Sequence, residues 1–325
     1  MLRDAYNRKI DYLRISVTDR CNLRCIYCMP ECGIVNKPHE ELLTFEEIIR
    51  IVEAGVYLGI NKIRLTGGEP LVRKNLAGLV SLLNKIEGIE DISMTTNGVL
   101  LKEFARQLKQ AGLKRLNISL DSLRHDRYAS ITRSKSLEDV LEGVAEAVEA
   151  GFDPVKINVL LLKDIDKNEI IKFLTLTLEN PVCVRFLEFM PVNSFYKIEN
   201  PVSCRDVLEM ASGLRPIEGA AISGNGPAMA YRLKGALGTF GLISPMSHKF
   251  CSGCNRLRLT SDGSLKACLH SGIKVDLRGP IRSGAGKSEL IGLIKSAAGL
   301  KPKEHELDKK DISNGYEFSM CQIGG

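Results

Sequence analysis

Tryptophan is absent from this 325-residue chain, and aromatic residues make up only 6% of it. Proteins that bind single-stranded nucleic acid stack the bases on aromatic side chains, so this composition argues against such a partner. The chain also lacks an apolar run of about 18 residues, the length that predicts a membrane span. Its net charge is +6, but no long basic run is present. We therefore expect neither a membrane nor a nucleic acid as a partner.

The first residues, Met1-Leu2-Arg3-Asp4, form neither the apolar core of a signal peptide nor an Arg- and Ser-rich transit segment. This predicts a cytoplasmic protein. The chain has ten cysteines, which in such a protein are more typical of metal ligands or buried thiols than of disulfides.

Three of the cysteines form a compact motif early in the chain. Cys21, Cys25 and Cys28 are spaced C-x3-C-x2-C directly after a predicted strand, Ile10–Val17. Thiolates at this spacing can bind three irons of a cubane [4Fe–4S] cluster and leave the fourth iron open, whereas zinc would require a fourth ligand nearby. The motif therefore predicts an iron–sulfur cluster rather than three ordinary buried cysteines.

Strand-like and helix-like segments alternate along the first 190 residues, which predicts a parallel sheet. Six strands, each followed by a helix or by the cysteine loop, indicate an α/β fold with an incomplete, open (β/α)6 barrel over residues 1–190. The predicted strands are Ile10–Val17, Lys62–Thr66, Asp91–Thr96, Arg115–Leu120, Val155–Leu161 and Val182–Phe189. The predicted helices are Phe45–Leu58, Leu76–Ile86, Leu101–Gln110, Leu137–Ala150 and Glu169–Leu178.

The alternation fades in residues 191–325. This part is predicted to close the barrel and to carry a small antiparallel sheet, with a hairpin at Ser261-Asp262-Gly263-Ser264.

Side chains in five of the predicted strands alternate between apolar and polar, so each strand has one face of each kind. Helical crossovers cover the outside of such sheets, and we therefore expect the polar faces to line a cavity. Four cations belong to the polar set: Arg14, Lys62, Arg64 and Lys156. Burying these charges without anions would be costly, so the pattern predicts a polyanionic ligand.

A second cysteine group lies in the C-terminal third. Cys251 and Cys254 form a Cys-x-x-Cys turn, and Cys268 follows with thirteen residues between. A hairpin over that interval can bring the three thiols together. Spacing alone fits either a second [4Fe–4S] cluster or a structural zinc completed by His248 or His270.

The strand that follows this turn separates the two alternatives. Arg256 and Arg258 lie on the same strand face as Cys254. Two arginines beside a metal ligand indicate an anion site, for which a buried structural zinc has no use. The pattern therefore favours the cluster.

Tyr27 stands just before the last cysteine of the first motif, and Gly67-Gly68-Glu69-Pro70 ends the second predicted strand. Together these residues resemble the signature of the radical S-adenosylmethionine (SAM) family. In that family the open iron binds SAM, and the reduced cluster cleaves it to a 5′-deoxyadenosyl radical that takes a hydrogen atom from the substrate. The resemblance implies that SAM is contacted by Tyr27, Gly67, Gly68, Glu69, Thr95, Ser119 and Met190.

From Tyr12 to Gly325 the chain resembles the branch of this family that acts on GTP in the first step of molybdenum cofactor (molybdopterin) biosynthesis. The resemblance rests on both cysteine triplets, the Cys254–Thr260 run and the terminal Ile323-Gly324-Gly325. It implies a lyase with two [4Fe–4S] clusters, held by Cys21, Cys25 and Cys28 and by Cys251, Cys254 and Cys268. The GTP site that it implies comprises Arg14, Lys62, Arg64, Lys156, Arg256, Arg258, Gly324 and Gly325, and the catalytic residues among them are Arg14, Arg256 and Arg258.

The implied reaction begins with removal of a hydrogen atom from C3′ of GTP, and addition of the C3′ radical to guanine C8 yields 3′,8-cyclo-7,8-dihydro-GTP. A low-potential electron donor of the flavodoxin or ferredoxin type is implied, as is a downstream cyclic pyranopterin monophosphate synthase. Oligomeric state is open, with a homodimer as one option.

Two alternatives compete with this hypothesis. A radical SAM peptide or cofactor maturase would carry more cysteines after the barrel and would need no triphosphate-sized basic patch. A zinc-stabilised nucleotide- or nucleic-acid-binding protein is opposed by the polar strand faces and by Gly67-Gly68-Glu69-Pro70. No role is predicted for Cys32, Cys183, Cys204 or Cys321, and His39, His125 and His305 are expected to face solvent.

Overall fold

One continuous sheet of twelve strands organises the described part of the chain. The structure, a computed structural model, describes residues 1–162, 165–191, 202–221, 226–305 and 320–323. The strands are β1 Tyr12–Ser16, β2 Lys62–Thr66, β3 Asp91–Thr96, β4 Arg115–Ser119, β5 Val155–Leu161, β6 Val182–Glu188, β7 Ile217–Gly219, β8 Met229–Leu233, β9 Thr239–Ile243, β10 Arg256–Leu259, β11 Ser264–Lys266 and β12 Lys274–Asp276. Their order across the sheet is β12-β11-β10-β1-β2-β3-β4-β5-β6-β9-β8-β7.

Helices follow most of the parallel strands. They are α1 Phe45–Tyr57, α2 Leu76–Asn84, α3 Leu101–Gln110, α4 His125–Thr132, α5 Leu137–Glu149, α6 Lys167–Glu179, α7 Cys204–Leu214, α8 Arg278–Arg282, α9 Lys287–Gly299 and α10 Met320–Ile323. Among the described helices, none combines the length and the apolar character that a membrane crossing requires.

The middle of the sheet is the predicted open barrel. Strands β1 to β6 pair in parallel, and β10 and β9 join their two edges, also in parallel. Beyond them the pairing is antiparallel, with β11 and β12 on one side and β8 and β7 on the other. The predicted antiparallel strands of the C-terminal region are therefore present, and they extend both edges of the barrel sheet.

The apolar strand faces form the core, as the alternation predicted. Leu13, Ile63, Leu65 and Ile157 are at most 2% exposed and belong to one hydrophobic cluster. The apolar faces of the helices, such as Ile48 in α1, cover them. Burying these branched side chains is the main favourable term in the stability of the fold. The opposite face of the sheet is left for polar side chains.

For the five helices that were predicted, α1, α2, α3, α5 and α6, local signals placed the ends within a few residues. Thr44 caps α1 by accepting from the amide of Glu47 at 3.2 Å, while the Glu47 carboxylate accepts from the amide of Thr44 at 2.8 Å. A cap of this kind stabilises a helix by about 1 kcal/mol. The sequence analysis missed α4, α7, α8, α9 and α10. Of these, α4 has only eight residues and no side-chain cap at its N-terminus.

Candidate active site

The polar faces of neighbouring strands meet in register on the side of the sheet away from the helices. Arg14 of β1 is paired with Arg64 of β2 on one side and with Arg258 of β10 on the other. Asn158 of β5 is paired with Arg185 of β6. All five side chains line one cavity of about 350 Å³, a volume in the range of small-ligand sites.

Arginines dominate the wall of this cavity. In Arg64, Arg185 and Arg256 the buried Nε atom has no hydrogen-bond partner among the described residues. Burial, and then the charge of Arg256, lowers the pKa of Arg258 to about 10. Burial and the neighbouring guanidinium of Arg258 hold the pKa of Arg14 well below its usual value. The charged state of this cluster is disfavoured without an anion, so the cavity fits the predicted polyanionic ligand.

Arg185 is a cationic residue of the cavity that the sequence analysis missed. It is 5% exposed, and its Nη2 donates to the side-chain oxygens of Asn117 at 2.7 Å and Asn158 at 2.5 Å. Burial, followed by the charge of Arg64, lowers its pKa to about 10. In the sixth strand Arg185 stands between Val184 and Phe186, whose side chains lie on the opposite face, and reading that pattern would have placed Arg185 in the cavity.

The two predicted lysines lie on the polar face but nearer the amino ends of their strands. Lys62 binds Asp11, with 3.0 Å between Nζ and Oδ2. Lys156 is 4% exposed and lies between Asn117 and Cys183 in the register of the sheet. Burial and nearby cations lower its pKa to about 7. Neither lysine is among the residues that line the cavity.

The first cysteine motif forms a loop beyond the carboxyl end of β1. Backbone bonds to the end of α4 hold this loop, with the amide of Arg24 3.1 Å from the carbonyl oxygen of Thr132 and that of Ile26 2.9 Å from the oxygen of Ile131. The cysteines of this loop that line the cavity are Cys21, Cys25 and Cys28. The three thiols therefore share the cavity with the arginines.

Two glycines let the end of β2 pack against the segment that leads into this loop. The amide of Gly68 donates to the carbonyl oxygen of Thr18, and that of Glu69 to Arg20, each at 2.8 Å. A Cβ atom on Gly67 would lie 2.6 Å from the Thr18 oxygen, and one on Gly68 would lie 2.2 Å from the Arg20 oxygen. No side chain fits in either place without moving backbone.

Glu69 joins the ends of two strands behind the cavity. Its carboxylate accepts from the amide of Leu71 at 3.0 Å, from Oγ1 of Thr96 at 2.7 Å and from the amide of Asn97 at 2.7 Å. Burial raises the pKa of Glu69 to about 7. Asn97 in turn donates to Oδ1 of Asn22 in the cysteine loop at 2.7 Å. Glu69 thus helps to position that loop.

Tyr27 closes another side of the cavity. Its hydroxyl donates to Oδ2 of Asp121 at 2.6 Å, and Oδ1 of the same carboxylate accepts from the amide of Leu160 at 2.8 Å. Burial raises the pKa of Asp121. The predicted SAM-contacting residues that line the cavity are Tyr27, Gly67, Gly68, Thr95, Ser119 and Met190. Glu69 lies buried behind them.

The second cysteine triplet borders the same cavity. Cys251–Gly253 forms a 3-10 turn that Cys254 ends, and Cys268 follows β11. Burial raises the pKa of Cys251, and the thiols of Cys254 and Cys268 raise it further. The residues beside the triplet that line the cavity are Phe250, Arg256 and Leu269.

Two histidines lie beside this triplet. The ring centroids of His270 and His305 are 5.7 Å apart. His305 is 6% exposed, with Nε2 3.1 Å from the carbonyl oxygen of Pro245, so the prediction that it faces solvent is wrong. Its neighbours in sequence are charged, but the chain folds back and buries its ring. The same prediction is confirmed for His39 and His125, which are exposed.

The donor chemistry of the triplets suits an iron–sulfur cluster. A cubane cluster binds each thiolate to a different iron, and backbone amides that donate to thiolate sulfur support such binding. Within the described ranges, no group of three or more His, Cys, Asp or Glu side chains is arranged to hold one metal ion. The amide of Leu23 donates to Sγ of Cys21 at 3.4 Å.

Two known protein families match different parts of the chain. Residues 15–177 match the radical SAM superfamily, and residues 182–307 match the family Molybdenum Cofactor Synthesis C.

The relatives that match over their full length are GTP 3′,8-cyclases. The GTP 3′,8-cyclase of Thermodesulfovibrio yellowstonii is 50% identical over 330 residues, which cover 100% of both chains. The GTP 3′,8-cyclase of Peptoclostridium acidaminophilum is 49% identical over 328 residues, covering 100% of this chain and 98% of its own.

Among solved structures, Streptococcus suis SuiB bound to precursor peptide SuiA is similar, with a TM-score of 0.63 and 16% identity. The match covers 94% of this chain and 77% of that chain. At this identity the likeness concerns the fold alone.

Proposed function

This chain belongs to the GTP 3′,8-cyclase family of radical SAM enzymes, and we propose on that basis that it converts GTP to 3′,8-cyclo-7,8-dihydro-GTP, the first step of molybdenum cofactor biosynthesis. The observation that carries the proposal is one cavity that is lined by the first cysteine triplet, by residues next to the second triplet and by five arginines. A redox group and a polyanionic nucleotide are thereby expected in the same small volume.

Two [4Fe–4S] clusters and SAM are the cofactors. We assign Cys21, Cys25 and Cys28 to the cluster that binds SAM, and Cys251, Cys254 and Cys268 to the second. When bound, the first cluster and SAM supply a 5′-deoxyadenosyl radical that takes the hydrogen atom from C3′ of GTP. The chain itself must hold SAM and GTP next to each other and keep the cavity closed to other reactants.

For SAM we propose contacts along the rim formed by the ends of β2, β3 and β4. Gly67 and Gly68 have no side chains, so SAM can approach their backbone closely. Thr95, Ser119 and Met190 line the adjoining cavity wall. The hydroxyl of Thr95 is buried without a hydrogen-bond partner in the described residues, as expected of a group that meets a ligand. Tyr27 lies on the same wall, and Glu69 holds the rim from behind.

For GTP we propose that the arginine cluster binds the nucleotide. Arg14, Arg256 and Arg258 lie nearest the second triplet in the register of the sheet, which supports their assignment as the catalytic residues that hold the reacting nucleotide. For the triphosphate we propose Arg64, the neighbour of Arg14 in the register, together with Lys156 and the newly found Arg185 on strands farther along the sheet. Bidentate guanidinium contacts fit phosphate oxygens well. Lys62 contributes a more distant charge, because Asp11 already binds it.

The proposed contribution of Gly324 and Gly325 falls outside the described residues. Met320, four residues before Gly324, is described and lines the cavity. This position supports the proposal that the end of the chain enters the barrel.

The remaining proposals concern the setting of the enzyme. SAM cleavage needs a strong reductant, so we propose a flavodoxin- or ferredoxin-like donor, and a cyclic pyranopterin monophosphate synthase as the enzyme that takes the product. We further propose a cytoplasmic location, a homodimer as one assembly to test, and a division into residues 1–190 and 191–325.

The test is made under anaerobic conditions on reconstituted protein. Iron and sulfide are counted, and the protein is then incubated with dithionite, SAM and each of the four nucleoside triphosphates in turn. The proposal expects about eight irons per chain, release of 5′-deoxyadenosine and consumption of GTP alone. About four irons and one zinc per chain, or equal consumption of all four nucleotides, would contradict the proposal.

A further inference from the structure

A buried lysine joins two of the segments that carry the second cysteine triplet. Lys301 follows α9 and is 4% exposed. Its Nζ donates to the carbonyl oxygen of Arg256 at 2.8 Å and to that of Ala267 at 2.7 Å, and its charge interacts with the nearby thiol of Cys254. Backbone oxygens thereby take up two of the three donors of the ammonium group. The lysine therefore ties the strand after Cys254 to the residue before Cys268.

A buried arginine from the other end of the chain reaches the remaining cysteine. Arg8 is 9% exposed and donates to the carbonyl oxygens of Cys251 at 2.7 Å, Pro302 at 2.6 Å and Lys303 at 2.9 Å. An ion pair with Asp4, 2.5 Å from Nε to Oδ2, holds the guanidinium in place. Arg8 thus fastens the turn at Cys251 to the segment that begins with Lys301.

We propose that Lys301 and Arg8 are positioning residues that clamp the second cysteine triplet for its [4Fe–4S] cluster, an inference that rests on the proposed function. Neither residue lines the cavity. Their bonds fix the backbone at each of the three cysteine segments, so they set the spacing of the thiols. The ammonium of Lys301 also places a positive charge beside ligands that are thiolates when they bind iron.

The burial of Lys301 supports this role. An ammonium taken out of water is costly unless nearby acceptors or negative charges compensate it, and here the compensating groups belong to the cysteine segments themselves. Outer groups that orient metal ligands change metal affinity by about 10- to 100-fold when they are removed. A lysine that only filled space would be replaced by methionine with little effect on the cluster.

The test isolates the second triplet in the full chain by changing Cys21, Cys25 and Cys28 to serine. In this parent we compare Lys301→Met, Lys301→Arg and Lys303→Met, the last being a control whose side chain is exposed two residues away. Iron release to a chelator after reconstitution is timed, and the midpoint potential of the cluster is measured. Neither measurement depends on turnover.

We expect Lys301→Met to release iron about 10- to 100-fold faster than the parent and to lower the midpoint potential, because the lost positive charge had favoured the reduced cluster. Lys301→Arg, which keeps the charge, should retain a potential near that of the parent. Lys303→Met should match the parent in both measurements.

Release at the parent's rate in Lys301→Met would overturn the clamp, as would equal acceleration in Lys303→Met. If the parent binds no iron at all, the two-cluster assignment fails instead. If Lys301→Met does not fold, Arg8→Lys is compared with Arg3→Lys. Only Arg8→Lys is then expected to release iron faster, because a lysine at that position cannot reach three carbonyl oxygens, and equal rates would overturn the inference.

Discussion

Replacing Arg185 with methionine is expected to stabilise the nucleotide-free protein while weakening GTP binding. Burial lowers the pKa of Arg185 from its ordinary value to about 10, a shift that corresponds to about 3 kcal/mol against the charged guanidinium. The variant loses the bonds to Asn117 and Asn158, worth about 1 kcal/mol each. The free energy of unfolding of the variant should therefore be about 1 kcal/mol higher than that of the wild type, which raises Tm by about 2 °C.

Nucleotide binding should change in the opposite direction. A hydrogen bond from a charged guanidinium to phosphate contributes about 1.5–3 kcal/mol. Its loss raises the Kd for GTP by about 10- to 100-fold. The stabilisation that saturating GTP adds to the wild-type protein should shrink by the same free energy.

The assay is anaerobic thermal unfolding with and without GTP, with Arg115→Met as the matched control. Arg115 lies on the same sheet but is paired with Asp91, at 3.0 Å between Nε and Oδ1. Removing a paired cation leaves the carboxylate without its partner, so the control should unfold at a lower temperature than the wild type. The reasoning is refuted if Arg185→Met lowers Tm as much as the control does, or if its Kd for GTP is unchanged.

Three further predictions concern single residues of the site. Because burial lowers the pKa of Lys156 to about 7, its positive charge is lost as pH rises through that value. Calorimetry should therefore show GTP affinity falling by about tenfold from about pH 7 to about pH 9. Lys156→Met should abolish this pH dependence. Gly68→Ala should cost the first cluster most of its iron, since the new Cβ would lie 2.2 Å from a backbone oxygen, whereas Gly213→Ala, where nothing lies within 4 Å, should keep full iron content. Tyr27→Phe should reduce stability in urea by about 1–3 kcal/mol, because it removes the hydroxyl that donates to buried Asp121; an unchanged midpoint would contradict this.

The alternation of side chains was enough to predict much of the cavity. Arg14 and Arg64 stand on strands whose other face is continuously apolar, and that face has to be buried under helices. The polar face is then directed inward by the geometry of the strand. The same reasoning extends to Arg256 and Arg258, since β10 pairs in parallel with β1. Arg185 was missed only because the sixth strand was not read in this way.

Other features depend on contacts that no local pattern contains. Lys62 has the polarity of an inner-face residue, but Asp11, 51 positions earlier, binds it near the amino end of its strand. Arg8 meets the carbonyl oxygen of Cys251 across 243 positions of sequence. Such pairs follow from the order of strands in the sheet, which propensity and periodicity do not specify. The burial of His305 has the same origin.

The position of β10 beside β1 has a consequence for synthesis on the ribosome. The hydrogen-bonding edge of β1 cannot be covered until the chain has been made past Leu259, which at usual rates takes roughly ten seconds to a minute after β1 itself. An exposed strand edge is prone to pair with other chains. The nascent protein therefore carries its first cysteine loop on an unfinished sheet, in which one edge of β1 stays open to pairing with other chains until β10 has been made.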